Sequence, residues 1–269
     1  MTEDQSWAPA DVDPERPNAA RMYDYFLGGG ANFAADREYA RKIIELAPEV
    51  RTAARLNRAF LRRSVEYCLD NGVRQFLDIG SGIPTAGNVH EIAAQRTGEA
   101  HVVYVDHEAV AVTTAERLLA AEPNARVVRA DLRDPETILR SDATRALLDL
   151  DRPVALLMVA VLHFIPDSPE LDRAIRHYLD ALAPGSVVVV SHATTEGDPD
   201  RLDKAAELYR NSSTPFIQRS AAEITAFLDG TEIVDPGLVW TPQWRPYAPA
   251  DVPEHPEESR FYACVGRKP

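Results

Sequence analysis

The chain has 269 residues, of which 45% are hydrophobic and 26% charged, and its formal net charge is −13 at pH 7. This length and balance fit one globular α/β domain with additions, and no apolar run approaches the roughly 20 residues that span a bilayer, so no membrane segment is expected. The acidic surplus repels phosphate backbones and argues against a nucleic-acid partner, while Cys68 and Cys264, without Cys-x-x-Cys spacing, predict two reduced, buried thiols in place of a disulfide framework or zinc site.

Residues 1–17 are rich in Pro, Asp and Glu and predict a disordered tail, which lacks the apolar core of a secretory signal; cytoplasmic residence is the expectation. Residues 18–72 predict an N-terminal helical extension. Asn18 suits the N-cap of a short helix over Ala19 to Leu27, which Gly28-Gly29-Gly30 ends and can hinge. A second helix is predicted from about Phe33 to Leu46 and a third from about Pro48 to Leu69, stopped by Asn71-Gly72. Arg51, Arg55, Arg58, Arg62 and Arg63 read as the solvated face of that third helix, opposite Leu56, Phe60, Leu61 and Val65.

From residue 73 to 269 apolar strands alternate with helical patterns, the rhythm of a mostly parallel, Rossmann-like sheet. Strands are placed at Gln75 to Ile79, His101 to Asp106, Arg126 to Ala130, Val154 to Ala160 and Ser186 to Ser191. Helices start at about Asn88, Ala109, Pro135 and Pro169, and the capping box Ser220-Ala221-Ala222-Glu223 opens another to about Leu228. Thr231 to Val234, Leu238 to Trp240 and Phe261 to Val265 are strand-like without a long helix between them, which predicts an antiparallel hairpin at one sheet edge.

Ligands of open α/β sheets bind beyond the carboxyl ends of the strands. Here the first strand ends Asp78-Ile79-Gly80-Ser81-Gly82, the second ends Tyr104-Val105-Asp106-His107, and the third ends Ala130-Asp131-Leu132. Asp106 is placed to accept hydrogen bonds from ribose hydroxyls and Asp131 from an adenine amine, while the glycines allow close ligand approach. Together they describe an adenosine site. A dinucleotide turn wants Gly-x-Gly-x-x-Gly, yet Thr85 stands in the sixth place and that pattern gives Asp78 and Asp131 no task, which disfavours an NAD-binding oxidoreductase. His90-Glu91-Ile92-Ala93-Ala94 lacks the second histidine of a zinc helix, and no metal is expected.

With its acid-x-Gly-x-Gly turn, second-strand acid and third-strand Asp, the chain resembles class I S-adenosylmethionine-dependent methyltransferases over about Arg74 to Arg267. More narrowly, Asn18-Ala19-Ala20-Arg21-Met22-Tyr23-Asp24-Tyr25-Phe26-Leu27-Gly28-Gly29, Asn32-Phe33-Ala34-Ala35-Asp36-Arg37, the Asp78 to Thr85 turn and the Pro236-Gly237 to Trp244-Arg245-Pro246 tail are similar to the DUF574 family. Ile83-Pro84-Thr85 replaces the third glycine of the general pattern. The resemblance implies S-adenosylmethionine as cofactor, held by Asp78, Gly80, Ser81, Gly82, Asp106, His107, Asp131, Leu132 and Ala160, and leaves the acceptor open.

Methyl transfer needs an aligned nucleophile, a dry site and, for some acceptors, a base. His163, Asp24 and Tyr23 are the candidates for that base. The first helix is expected to act as a lid over the cofactor, with Arg21, Tyr23, Phe164 and Trp244 around a small-molecule acceptor and Trp240 as a further wall. A non-catalytic, S-adenosylmethionine-binding regulatory protein is the alternative.

Overall fold

Two-sided apolar runs build the centre of an eight-stranded sheet whose strands are β1 Gln75–Ile79, β2 His101–Asp106, β3 Ala125–Arg129, β4 Ala155–Val159, β5 Val187–Ala193, β6 Glu232–Ile233, β7 Val239–Trp240 and β8 Phe261–Arg267. The computed structural model describes residues 9–10, 12–84, 87–96, 98, 100–194 and 215–269; Thr85 and the first eight residues of the expected tail lie outside them. The order is β3-β2-β1-β4-β5-β8-β6, with β7 also paired to β8. Strands β1 to β5 are parallel; β1, β2, β4 and β5 are buried nearly throughout, on both faces, as crossover helices require, whereas the edge strand β3 is buried only at Ala125. The expected C-terminal hairpin takes another form: β8 lies antiparallel to β5 from Val187↔Arg267 to Ala193↔Phe261, and the two-residue strands β6 and β7 each pair with β8.

The helices are α1 Ala19–Leu27, α2 Ala34–Leu46, α3 Val50–Asp70, α4 Val89–Arg96, α5 Ala109–Leu118, α6 Pro135–Leu139, α7 Asp142–Leu147 and α8 Pro169–Ala181, followed by a short helix over Ala221–Ala226. One sheet face carries Phe76, Val102, Leu157 and Val189 against Phe60, Leu61, Val65 and Cys68 of α3 and Val89 and Ile92 of α4. The other carries Leu77, Val103, Leu156 and Val188 against Ile138 of α6, Leu171, Ile175 and Tyr178 of α8, and Ile224. Helix α3 therefore belongs to the sheet's own core, and a boundary drawn at residue 72 cuts through that core. Cys68 and Cys264 are free and buried, one on each face.

Helices α1 and α2 form a separate apolar cluster through Met22, Phe26, Ala40 and Ile43, which meets α3 at Ala54. Asn18 caps α1, its Oδ1 accepting from the N–H groups of Ala20 and Arg21, and Gly28 at φ 89° ends it in the left-handed conformation that lacks a Cβ penalty. The glycine run after it is pinned: Asp24 accepts from Ala31 N–H and Asn32 Nδ2, and Gly29 N–H donates to Asp24 O. Part of the expected tail is packed against the protein. Val12 packs beside Phe33, Ile83 and Val110, Pro17 is buried, and the guanidinium of Arg21 donates to the carbonyls of Asp13 and Arg16. A buried cation collecting those carbonyls orders a stretch that composition alone marks as unstructured. No helix of the described residues is long and apolar enough to cross a membrane.

Candidate functional site

The strand order reverses between β1 and β4, and the crevice this leaves at the carboxyl ends of the strands is a cavity of about 410 Å³. The turn after β1 forms its floor. The N–H groups of Gly80 and Ser81 both donate to Val105 O, so the chain leaves β1 still attached to β2. Gly80, at φ 70°, sits where a Cβ would overlap the side chain of Val161 after β4; its glycine serves packing within the protein. Gly82, at φ 67°, has open space where a Cβ would stand, and its N–H donates to Asp106 Oδ2 at 2.8 Å.

The three acids expected from the sequence line this one cavity, as do Ser81, His107, Leu132 and Ala160. Asp106 accepts from Gly82 N–H and, at 2.9 Å, from Glu108 N–H; a carboxylate has roughly four acceptor sites, so capacity for two hydroxyls remains. Asp131 accepts from the backbone N–H, Nε and Nη2 of Arg133, which hold its carboxyl below the usual range. Asp78 behaves differently. Burial pushes its carboxyl up to about 7, with the Arg58 charge opposing the rise and Asp106 adding to it. Ala160 takes φ 58°, a conformation rare for a residue with a Cβ, and is held there by hydrogen bonds from its N–H to the backbone and hydroxyl oxygens of Ser191.

Helix α1 supplies the facing wall through Asn18, Ala19, Tyr23 and Leu27. The Tyr23 hydroxyl donates to Ala54 O at 3.2 Å and accepts from Asn57 Nδ2 at 3.0 Å; burial raises its pKa and keeps it protonated. Phe164 and Pro215 complete the apolar side.

Five of the residues expected at the site stand elsewhere. Arg21 is 3% exposed and spent on Asp36 at 2.8 Å, Glu108 at 2.9 Å and the two tail carbonyls, so it braces α1 from behind the cavity. Asp24 is buried and holds the glycine turn through Ala31 N–H and Asn32 Nδ2. His163 is buried among the rings of Phe164, His192, Phe216 and Phe261, where desolvation, with His192 and Arg219 adding to it, lowers its pKa well below the ordinary value. Trp244 is fully buried under α3, edge-on to Phe60 and Tyr67, and Trp240 stacks on Tyr262; neither lines the cavity.

Sequence reasoning missed Asn57 and Arg58, which line the cavity from α3, and Glu108, which joins the second-strand acid to α1. The signal was present: Asn57 and Arg58 lie four and three residues before Leu61, on the face that α3 turns to the sheet. Arg63, also read as solvated, is buried and donates to the carbonyls of Thr241 and Trp244.

The donor set fits an adenosine ligand. Carboxylates stand at the ends of β3, β2 and β1 in that spatial order, and the cavity lies within the range that small-ligand sites occupy. A model of the S-adenosyl methyltransferase family matches residues 5–269. A candidate methyltransferase from Thermobifida fusca YX is 39% identical, with 97% of this chain and 98% of that one covered and a TM-score of 0.90. A DUF574 family protein from Streptomyces avermitilis MA-4680 is 38% identical, with 96% and 99% covered and a TM-score of 0.90. An O-methyltransferase family protein from Burkholderia thailandensis, 14% identical with 94% and 64% covered and a TM-score of 0.53, shares the fold. No protein of curated function matches the chain. The chain thus belongs to the S-adenosyl methyltransferase family, and its cofactor is S-adenosylmethionine.

Proposed function

We propose that the protein transfers the methyl group of S-adenosylmethionine to a small molecule held between the carboxyl ends of β1 and β4 and the inner face of α1. The observation that carries this reading is the shared cavity: the three acids, the Gly80–Gly82 turn, Tyr23, Leu27 and Phe164 all line it. When bound, the cofactor supplies an electrophilic methyl on a sulfonium, and an in-line displacement then asks mainly for alignment and exclusion of water. Asp106 would hold the ribose and Asp131 the adenine amine. Tyr23, Leu27, Phe164 and Pro215 would close the methyl end as a partly aromatic wall, a surface suited to a small acceptor. Helix α1 acts here as a fixed wall more than a swinging lid, since Met22 and Phe26 are buried in its packing and its glycine run is tied down by Asp24.

One observation supports a second reading, a cofactor-binding regulatory protein. His163 and Asp24 stand outside the cavity, and the Tyr23 hydroxyl is hydrogen-bonded to Ala54 and Asn57. None of the three is placed as a base, so an acceptor requiring deprotonation finds none among them. Thermal denaturation with S-adenosylhomocysteine, S-adenosylmethionine and NADH tests the cofactor site: the first two should raise the Tm by mass action and NADH should not. Incubation with labelled S-adenosylmethionine and a metabolite extract tests turnover. Label in a small molecule is expected for the enzyme; cofactor binding without any labelled product supports the regulatory reading.

A further inference from the structure

We infer that Arg219 is the positioning residue for the acceptor end of the cavity, holding the loop after β4 and the segment that begins at Pro215 together as one fixed apolar wall. The inference rests on the reading above that the acceptor meets the methyl group beside Tyr23, Leu27, Phe164 and Pro215. The loop after β4 brings Phe164, Ile165 and Pro166 to the cavity, and Pro215 joins them from a stretch remote in sequence. Apolar side chains cannot be fixed by hydrogen bonds of their own, and Pro166 lacks an N–H, so the placement of this wall depends on what anchors the backbone beneath it.

Arg219 is that anchor. Its side chain is buried, and Nε and Nη2 donate to Asp167 Oδ1 at 2.9 and 2.6 Å. Nη2 also donates to Ile165 O at 2.7 Å, while Nη1 donates to Leu162 O at 2.8 Å and to His192 Nε2 at 2.9 Å. The rigid fork of an arginine carries five N–H groups, so these contacts use its whole donor capacity. All but the bond to His192 go to residues 162–167, the loop that carries the wall, and His192 ties it to β5. Burial lowers His192 to about 4, and its Nδ1–H donates to Ala193 O, which leaves Nε2 as the acceptor that Arg219 needs. The Asp167 side chain is 71% exposed, so its ion pair contributes little alone; the two carbonyls define the path of the loop. The same segment carries the other part of the wall. Ile217 N–H donates to His163 O at 2.6 Å, and the ring of Phe216 lies 5.2 Å from that of His163 and 6.1 Å from that of Phe164. Phe164 and Phe216 pack against the α1 and α2 cluster, as do Tyr23 and Leu27, so the wall is continuous. A shift of this loop would move the wall and leave the acids at the ends of β1, β2 and β3 in place, and a misplacement of about 1 Å is enough to slow an in-line transfer.

Isothermal calorimetry on the full chain with two analogues of S-adenosylmethionine tests this. Nitrogen replaces sulfur in both; one bears a methyl group on it and the other a benzyl group, which reaches into the acceptor end. The wild type should bind the benzyl analogue at least about tenfold more tightly, because an apolar ring is buried against a preformed wall. Arg219→Gln should leave the methyl analogue within about twofold and cut the gain from the benzyl group by about fivefold or more, a split between two ligands that a general loss of stability would not produce. A benzyl gain kept within about twofold by folded Arg219→Gln, or an equal loss for both analogues, overturns the inference. If Arg219→Gln does not fold, Asp167→Ala decides: it removes an exposed carboxylate that takes two of the contacts, and it should cut the gain about twofold or more, whereas an unchanged gain overturns the inference. A wild type that binds the methyl analogue and gains nothing from the benzyl group places the acceptor elsewhere, and overturns the reading of the acceptor end together with the inference built on it.

Discussion

Ser191 on β5 donates from its hydroxyl to Asn57 Oδ1 on α3 at 2.6 Å, and that bond links two parts of the cavity that are remote in sequence. On one side Asn57 Nδ2 donates to the Tyr23 hydroxyl on α1; on the other, Ser191 Oγ accepts from the N–H of Ala160. A continuous chain of hydrogen bonds thus runs from the wall helix to the left-handed residue after β4. Both central side chains are at most 1% exposed, so a partner lost within the chain is not replaced by bulk water.

Asn57→Leu should therefore destabilise the protein by about 1 to 3 kcal/mol, the cost of leaving buried polar groups without partners, and Ser191→Ala by less. The double variant should cost less than the sum, because the second change removes a group that the first has already orphaned. Denaturant unfolding of the four proteins measures this. Strict additivity would show that the chain is not an energetic unit.

The second relationship is the brace behind the cavity. Arg21 lies between Asp36 of α2 and Glu108 at the cap of α5, and Glu108 N–H is bonded to the acid at the end of β2, Asp106. Arg21→Met should cost about 3 to 5 kcal/mol, since it leaves two buried carboxylates without their cation. Adding Glu108→Gln to Arg21→Met should restore part of that loss. Chemical denaturation checks both variants; a loss below about 0.5 kcal/mol, typical of a surface position, would contradict the brace.

Much of this architecture is legible in the chain because it follows from local rules. The apolar runs of β1 and β2, the Asn18 cap, the Ser220 capping box and the acids at the strand ends act within a few residues of one another. What sequence reading missed depends on groups brought together over long separations. Arg63 is buried because the carbonyls of Thr241 and Trp244 meet it, and Arg21 because Glu108 arrives from β2. Helical periodicity marks charged residues as solvated by default, and only tertiary structure supplies the partners that permit their burial. Trp244 is the converse case: an aromatic residue near the C-terminal end reads equally as pocket wall or as core, and α3 takes it as core.

At the proposed ribose position, Asp106→Ala should weaken S-adenosylhomocysteine by roughly tenfold or more, because charge-assisted bonds to hydroxyls contribute about 1.5 to 3 kcal/mol each. The same change frees Gly82 N–H, so part of the loss comes from the turn itself. Asp24→Asn, outside the cavity, should leave affinity within about twofold while lowering the Tm. Calorimetry and thermal denaturation together separate the two; normal binding by a folded Asp106→Ala would remove this acid from the site.

The last prediction concerns pH. Burial raises the carboxyl of Asp78 from its ordinary 3.8 to about 7, so over that interval the folded protein binds a proton that the unfolded chain has released. The stability this proton confers is present below pH 3.8 and is lost as pH rises through about 7. Asp78→Asn should remove that contribution and flatten the decline between about pH 4 and 7. A ligand with an ammonium group reverses the preference, since it favours the charged carboxylate that burial disfavours. S-adenosylhomocysteine should therefore bind more tightly at pH 8 than at pH 6 and release a proton near the lower value, while 5′-methylthioadenosine, lacking the ammonium, should show neither effect. Calorimetry in buffers of different ionisation enthalpy counts the proton directly. Equal pH dependence for the two ligands, or no proton release with S-adenosylhomocysteine at pH 6, would place the ammonium somewhere other than at Asp78.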